Sequence, residues 1–216
     1  MKSTSIWYQP TTTHIKHKHD NIKADILIIG GGITGLTTAY LLKDNSQKVV
    51  LIDKGKIGNG ITLASTAKIT YLQGIIYQTL AKNFDKNCAK QYLNSQKDAI
   101  SIIKNIIQQN NISCNFERVD SIVFTLENSG VLKIKQEKEI LKKWNINIED
   151  VIDKNIKSGI KIKDSYVFNP LKYLNGLRNL IEKSVDIYEF VLAKILDMRI
   201  ICIKLSLIKV LLKQKK

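Results

Sequence analysis

Gly30-Gly31-Gly32-Ile33-Thr34-Gly35, followed by Asp53 23 residues beyond Gly30, is a combination suited to holding a dinucleotide. Glycine at position 30 permits a tight turn. At Gly32 the missing Cβ lets a pyrophosphate approach the backbone, and at Gly35 it lets a helix pack closely on a strand. Free N–H groups at a helix start, together with the helix dipole, favour a bound anion by about 0.3–1 kcal/mol for an exposed charge. Asp53 can accept hydrogen bonds from ribose hydroxyls. Lys54, next to it, suits a place over an adenine or near the ribose, and suits a solvated surface equally well.

These residues do chemistry only in the order strand, glycine turn, helix, strand, acid. The run D-I-L-I-I-G at 25–30 reads as a strand buried on both faces of a parallel sheet. Ile33, Leu36, Thr37, Tyr40 and Leu41 then recur on one helical face, which Asp44-Asn45 ends. Val49-Val50-Leu51-Ile52 is a second apolar run closed by Asp53. Residues 54–74 follow as a small-residue loop (Gly55, Gly58, Gly60, Thr62, Ser65, Thr66, Ala67, Gly74) in place of an immediate second βα unit. Such a loop can lie along a long extended cofactor, which favours FAD over NAD.

Beyond the loop, 77–110 has a helical pattern with Ala99, Ile103, Ile106 and Ile107 on one face. Residues 121–126 read as a strand and 131–144 as a charged amphipathic helix. Ile160 and Ile162 alternate with Lys161 and Lys163, as in a half-exposed strand. Asn169-Pro170 reads as an N-cap and first helical position, with Leu171, Leu174, Leu177 and Ile181 on the buried face. Residues 185–191 read as another strand.

Composition narrows the class. The 216 residues are 44% apolar and 25% charged with two Pro, which argues against a disordered, collagen-like or mucin-like chain. Net charge is +15, but only Arg118, Arg178 and Arg199 are arginines, and the lysines are spread along the whole chain. A nucleic-acid reader clusters its basic residues and favours Arg, so no nucleic-acid partner is expected. Cys88, Cys114 and Cys202 are too few and scattered for a disulfide framework and fit a reducing compartment. With no C-x-x-C, and with His14, His17 and His19 read as part of a solvated arm, no metal site is expected. No secretory signal is visible. Lys194, Asp197, Arg199, Lys204 and Lys209 interrupt the longest apolar stretch, so no membrane span and a cytoplasmic location are expected.

The stretch D-I-L-I-I-G-G-G-I-T-G-L-T-T-A-Y-L-L (25–42) resembles the amino-terminal flavin fingerprint of FAD-dependent oxidoreductases of the D-amino acid oxidase/glycine oxidase superfamily. V-V-L-I-D-K-G-K-I-G-N-G-I-T (49–62) is similar to that family's second strand and flavin loop, although the family usually has Glu where Asp53 stands. S-T-A-K-I-T (65–70), Q-G-I-I-Y (73–77) and F-N-P-L-K-Y-L-N-G-L (168–177) continue the likeness. S-I-W…T-T (5–12) is similar to the arm of the gamma-glutamylputrescine oxidoreductase branch, whose members often carry a Rieske iron–sulfur domain.

The resemblance implies FAD as cofactor and oxidation of the C–N bond of a small amine or amino acid by hydride transfer to flavin N5. It implies that Gly30, Gly32, Gly35 and Asp53 hold pyrophosphate and ribose; Gly31, Ile33 and Thr34 within the turn, and Lys54 beside Asp53, are counted with them as cofactor-binding. Gly60, Thr62, Ala67, Lys68 and Ile69 would line the phosphate and flavin. Gln73 stands where the family frequently has His. No residue is identified as a catalytic base, and the electron acceptor is unknown.

The expected architecture is α/β: a Rossmann-like FAD-binding domain with a parallel sheet and an inserted α+β cap or substrate region, incomplete at the C-terminus. Its parts are an arm (1–24), the FAD-binding βαβ unit and flavin loop (25–76), the cap (77–168), a return to the FAD domain (169–191) and a divergent tail (192–216). The family runs to roughly twice this length, and the Cys-His pairs of a Rieske cluster are absent, so the chain reads as a truncated member. The alternatives are an NAD(P)-binding dehydrogenase or a non-catalytic Rossmann-like fragment.

Overall fold

The computed structural model describes residues 5–7 and 22–193. His14, His17, His19, Cys202 and the tail from 194 lie outside the described residues. In chain order the elements are β1 (Ile26–Ile29), α1 (Ile33–Leu41), β2 (Val49–Ile52), a 3-10 turn (Ile61–Ala64), β3 (Lys68–Ile69), α2 (Tyr77–Asn83), α3 (Lys86–Gln109), β4 (Glu117–Thr125), α4 (Asn128–Lys143), β5 (Glu149–Asp150), β6 (Ser158–Val167), α5 (Pro170–Ile181) and β7 (Val185–Tyr188). They divide into two compact units. Of the described residues, one unit draws on those up to Thr66, on Ile112–Cys114 and on those from Asn169 onward, the other on Ala67–Asn111 and Asn115–Phe168.

In the first unit β1, β2 and β7 form a parallel sheet in that order. This is the parallel α/β architecture expected from the sequence. β2 has a neighbour on each side and is buried throughout. β1 is paired only with β2 among the described residues, so it is half-buried, and Ile29 at its end is 52% exposed. The expectation of a strand buried on both faces therefore fails for β1.

α1 also buries a different stripe from the one its larger residues suggest. Gly35, Leu36 and Ala39 are buried while Leu41 is exposed. The cause is close packing at Gly35, where an added Cβ would stand 1.8 Å from the Gly30 carbonyl oxygen. Small residues therefore set the rotation of the helix. α1 packs on α5, whose Leu171, Leu174, Leu177 and Ile181 are buried as expected. The Asn169 side chain caps α5, accepting the Lys172 N–H at 3.0 Å ahead of Pro170.

The second unit is an antiparallel sheet, β3-β6-β4 with β5 on β6, packed with α2, α3 and α4. Leu72, Tyr77, Leu93, Ile134, Leu141, Ile160 and Ile162 make its core. Lys161 points the other way and pairs with Asp120 and Glu149, giving the half-exposed strand that the alternation implies. The helical stretch 77–110 is two helices, because Asp85 turns out of helical geometry and caps α3 by accepting the Cys88 N–H at 2.7 Å. Ala99 is exposed, and the buried stripe of α3 runs through Ala89, Leu93, Ile106 and Ile107. Among the described residues no helix is long and apolar enough to cross a membrane.

One buried charge organises the helices of this unit. Glu137 of α4 is fully buried and accepts the N–H groups of Ile76 (3.1 Å), Tyr77 (2.9 Å) and Gln78 (2.8 Å), capping α2 from a neighbouring helix. Burial pushes its carboxyl above the usual range, against the opposing pull of those three donors. A folded-state value above the unfolded one means stability is fully present below the unfolded value, about 4.3, and falls as pH rises through the folded value. Thermal melts across this window should show a larger loss with rising pH in the unaltered chain than in Glu137→Gln. Identical slopes would contradict the reading.

Candidate dinucleotide-binding site

The glycine turn joins β1 to α1 in the first unit, at the carboxyl end of the parallel sheet, where open α/β sheets bind ligands. Gly30 adopts φ +109°, a conformation that strains any side-chain-bearing residue. Its N–H donates to the Ile52 carbonyl at 2.8 Å, which anchors the turn to the end of β2. Gly32 is the N-cap of α1. Gly32 supplies no side-chain cap and no acid stands in the first turn, so apart from the Ile33 N–H, which Thr62 takes, the start of α1 presents its positive dipole end to an anion. A Cβ built on Gly32 would come within 3.2 Å of the Thr62 hydroxyl. That hydroxyl also lies 3.3 Å from the Ile33 N–H and accepts its hydrogen bond. Thr62 is thus brought to the helix start by the 3-10 turn that Gly60 caps.

Asp53 does more than the sequence reading assigned to it. Its Oδ2 accepts the Gly31 N–H at 2.6 Å and its Oδ1 accepts the Gly55 N–H at 2.8 Å. The carboxylate therefore clasps the glycine turn to the start of the following loop. Each oxygen keeps further lone-pair capacity, so ribose hydroxyls can still be accepted. The Gly31 carbonyl in turn accepts the Gly58 N–H at 3.1 Å, and a Cβ on Gly31 would meet Ile57 Cγ1 at 2.6 Å. The 53–58 loop wraps the glycine turn from both sides.

Two residues that sequence reasoning missed hold this loop. Glu189, directly after β7, is 3% exposed and accepts the Ile57 N–H at 2.9 Å. Arg178 of α5 reaches it with Nη1 at 3.3 Å and Nη2 at 3.4 Å. Backbone pairing continues beside them: Asp53 N–H to Tyr188 carbonyl (2.9 Å), Val191 N–H to Asp53 carbonyl (2.8 Å) and Phe190 N–H to Gly55 carbonyl (3.2 Å). Signals for both were present: an acid closing an apolar strand, as Asp53 does, and one of very few arginines in a lysine-rich chain.

The structure thus brings Gly30, Gly31, Gly32, Ile33, Asp53 and Thr62 into contact, with Thr34 and Gly35 in the same first helical turn. Lys54 and Gly60 are exposed beside them. Ala67, Lys68 and Ile69 belong to the second unit. There Ala67 is buried at φ 56°, and Lys68 and Ile69 form β3 on β6. A turn that requires glycine, an acid-free helix start with glycine at its N-cap and a carboxylate with spare acceptor capacity fit a dinucleotide's pyrophosphate and ribose.

The clasp makes a prediction that needs no ligand. Asp53→Asn replaces one acceptor oxygen by an NH2 group, so either the Gly31 or the Gly55 N–H loses its partner. Urea unfolding of the cofactor-free chain should register a loss of about 1–3 kcal/mol. Unchanged stability would show that Asp53 serves a ligand alone.

Comparison with known proteins agrees with this geometry. The family model described as FAD dependent oxidoreductase, DAO, matches residues 25–198. The chain is 35% identical over 175 residues to the putative Rieske 2Fe-2S iron-sulfur protein YhfW of Bacillus subtilis (strain 168), covering 79% of this chain and 34% of that protein. It is 20% identical over 158 residues to gamma-glutamylputrescine oxidoreductase of Escherichia coli (strain K12), covering 73% and 37%. In fold it is similar to glycine oxidase from Geobacillus kaustophilus, with TM-score 0.62 and 12% identity over 77% of this chain and 46% of that one. The chain thus spans little more than a third of the length of these two curated relatives. FAD is the cofactor of the matched family. With the fingerprint, the parallel sheet and the glycine turn in agreement, the chain belongs to the DAO family of FAD-dependent oxidoreductases.

Proposed function

We propose that the first unit holds FAD along its glycine turn and that the protein oxidises the C–N bond of an amine or amino acid. The observation that carries the cofactor half is the acid-free start of α1, capped by a glycine without a side chain, beside the Asp53 clasp. FAD, when bound, supplies a hydride acceptor at flavin N5. The chain's own residues bind and orient. The start of α1 at Gly32 would receive the pyrophosphate, and Asp53 would accept from ribose hydroxyls while holding Gly31 in place. Thr62 keeps the Ile33 N–H aligned. The residue reading adds Lys54 near the adenine or ribose, and the sequence resemblance assigns Gly60, Ala67, Lys68 and Ile69, with Thr62, to the phosphate and flavin.

Support for the substrate class comes from relatives named for amino compounds, gamma-glutamylputrescine oxidoreductase and glycine oxidase. A neutral amine bound beside that hydride acceptor would give up a hydride from carbon and an N–H proton to water, leaving an imine that water hydrolyses to a carbonyl compound and ammonia or a smaller amine. A cytoplasmic location and action on a small molecule, without a nucleic-acid partner, complete the proposal.

Two experiments test it. In a fluorescence titration, Gly32→Val should weaken FAD binding at least about tenfold, equivalent to about 1.4 kcal/mol, because its side chain fills the pyrophosphate's place beside Thr62. Unchanged affinity would remove the turn from the site. In anaerobic mixing of the FAD-loaded chain with a panel of amines and amino acids, at least one should discharge the yellow absorbance and yield a carbonyl product. Absorbance retained with all of them, but lost with a hydroxylated substrate, would overturn the substrate class.

A further inference from the structure

The arm that precedes the FAD-binding unit touches the cofactor loop at two points. The Trp7 indole N–H donates to the Ser65 carbonyl at 2.8 Å. The Ser5 hydroxyl donates to the Leu63 carbonyl. Ser5 Oγ also accepts the Trp7 N–H at 3.2 Å, so the two residues form one small hydrogen-bonded hook. Ser5 and Trp7 are half-buried, whereas Ile6 between them is 85% exposed. The hook is therefore held by its polar atoms rather than by an apolar contact of Ile6.

The place it grips matters. Leu63 and Ser65 belong to the 3-10 turn and its C-cap, whose own hydrogen bonds are Leu63 N–H to Gly60 carbonyl (3.1 Å) and Ser65 N–H to Thr62 carbonyl (3.2 Å). A 3-10 turn of four residues is a poor structure to leave unsupported, because its hydrogen-bond geometry is strained and its length minimal. Yet this turn carries Thr62, whose hydroxyl must meet the Ile33 N–H at the start of α1. Leu63 and Ser65 flank Thr62 on the C-terminal side, and both of their carbonyls are taken by the arm.

We propose that Ser5 and Trp7 are positioning residues that tether the 61–65 turn and so hold Thr62 in register with the glycine turn. The proposal rests on the cofactor reading for its consequence: the tether prepares the loop for FAD before FAD arrives. Preorganisation of this kind raises affinity by lowering the ordering cost of binding, without adding a contact to the ligand. Neither residue needs to touch the cofactor.

Trp7→Phe keeps an aromatic ring and removes the indole N–H. In hydrogen exchange on the cofactor-free chain, the amides of Ile33, Leu63 and Ser65 should exchange about threefold or more faster, with β2 unchanged; one hydrogen bond accounts for this size of effect. In FAD titration, Trp7→Phe should weaken binding about threefold to tenfold, and should cost nothing further in a Thr62→Ala background. A merely structural role gives a different result, namely faster exchange throughout the unit and the same loss of affinity in both backgrounds. That result, or no change at all, would overturn the proposal. Ser5→Ala, which removes a single oxygen, gives the same test should Trp7→Phe fail to fold. A chain that binds no FAD in any form would overturn the cofactor reading and the effect on affinity. The exchange pattern, read without FAD, decides the tether by itself.

Discussion

The Asp53 carboxylate is the fulcrum of the first unit. One oxygen holds the glycine turn through Gly31 and the other holds the start of the loop through Gly55. Without it the Gly31 and Gly55 N–H groups would lose the acceptor that joins turn to loop, while the Gly30 N–H to Ile52 carbonyl bond would still tie the turn to β2. The short Asp53 side chain keeps the carboxylate close to the backbone, within reach of both N–H groups. A charge-assisted hydrogen bond to a backbone N–H is stronger than a neutral one, so a single side chain suffices to fix a turn that has no side chains of its own.

The same physical device recurs away from the site. Glu189 accepts the Ile57 N–H and is matched by Arg178, and Glu137 gathers three N–H groups at the start of α2. In each case a carboxylate from a distant element satisfies backbone donors where regular structure stops. Loops are costly to bury because their backbone groups lack ladder partners. Here those partners are supplied by acids, and the 61–65 turn is held in the opposite sense, with arm donors meeting its carbonyls.

How much of this was legible follows from sequence distance. The strand, turn, helix, strand and acid of the first unit lie within one short stretch, and their constraints are local: a glycine needed at +109°, another needed for close approach. The α5 N-cap was legible for the same reason. The break between α2 and α3 had a local sign, Asp85 three residues ahead of Cys88, that the continuous apolar pattern concealed. Ala99 was placed on the buried face because isoleucines crowd α3 on several sides and leave its phase ambiguous; the observed stripe selects other positions. The partners of Glu189 and Glu137 lie 132 and 60 residues away, and no periodicity reports a pairing of that kind. The Ser5–Trp7 hook was visible only as a likeness of motif, and its contacts with 63 and 65 required coordinates.

The most direct measurement is the visible absorption and fluorescence of the purified chain before and after denaturation. A yellow protein that releases FAD on unfolding is expected, since Asp53 and Thr62 already meet the glycine turn and the start of α1. A folded, colourless protein whose melting temperature is unmoved by added FAD but raised by NADH would contradict the assignment of this site to a flavin.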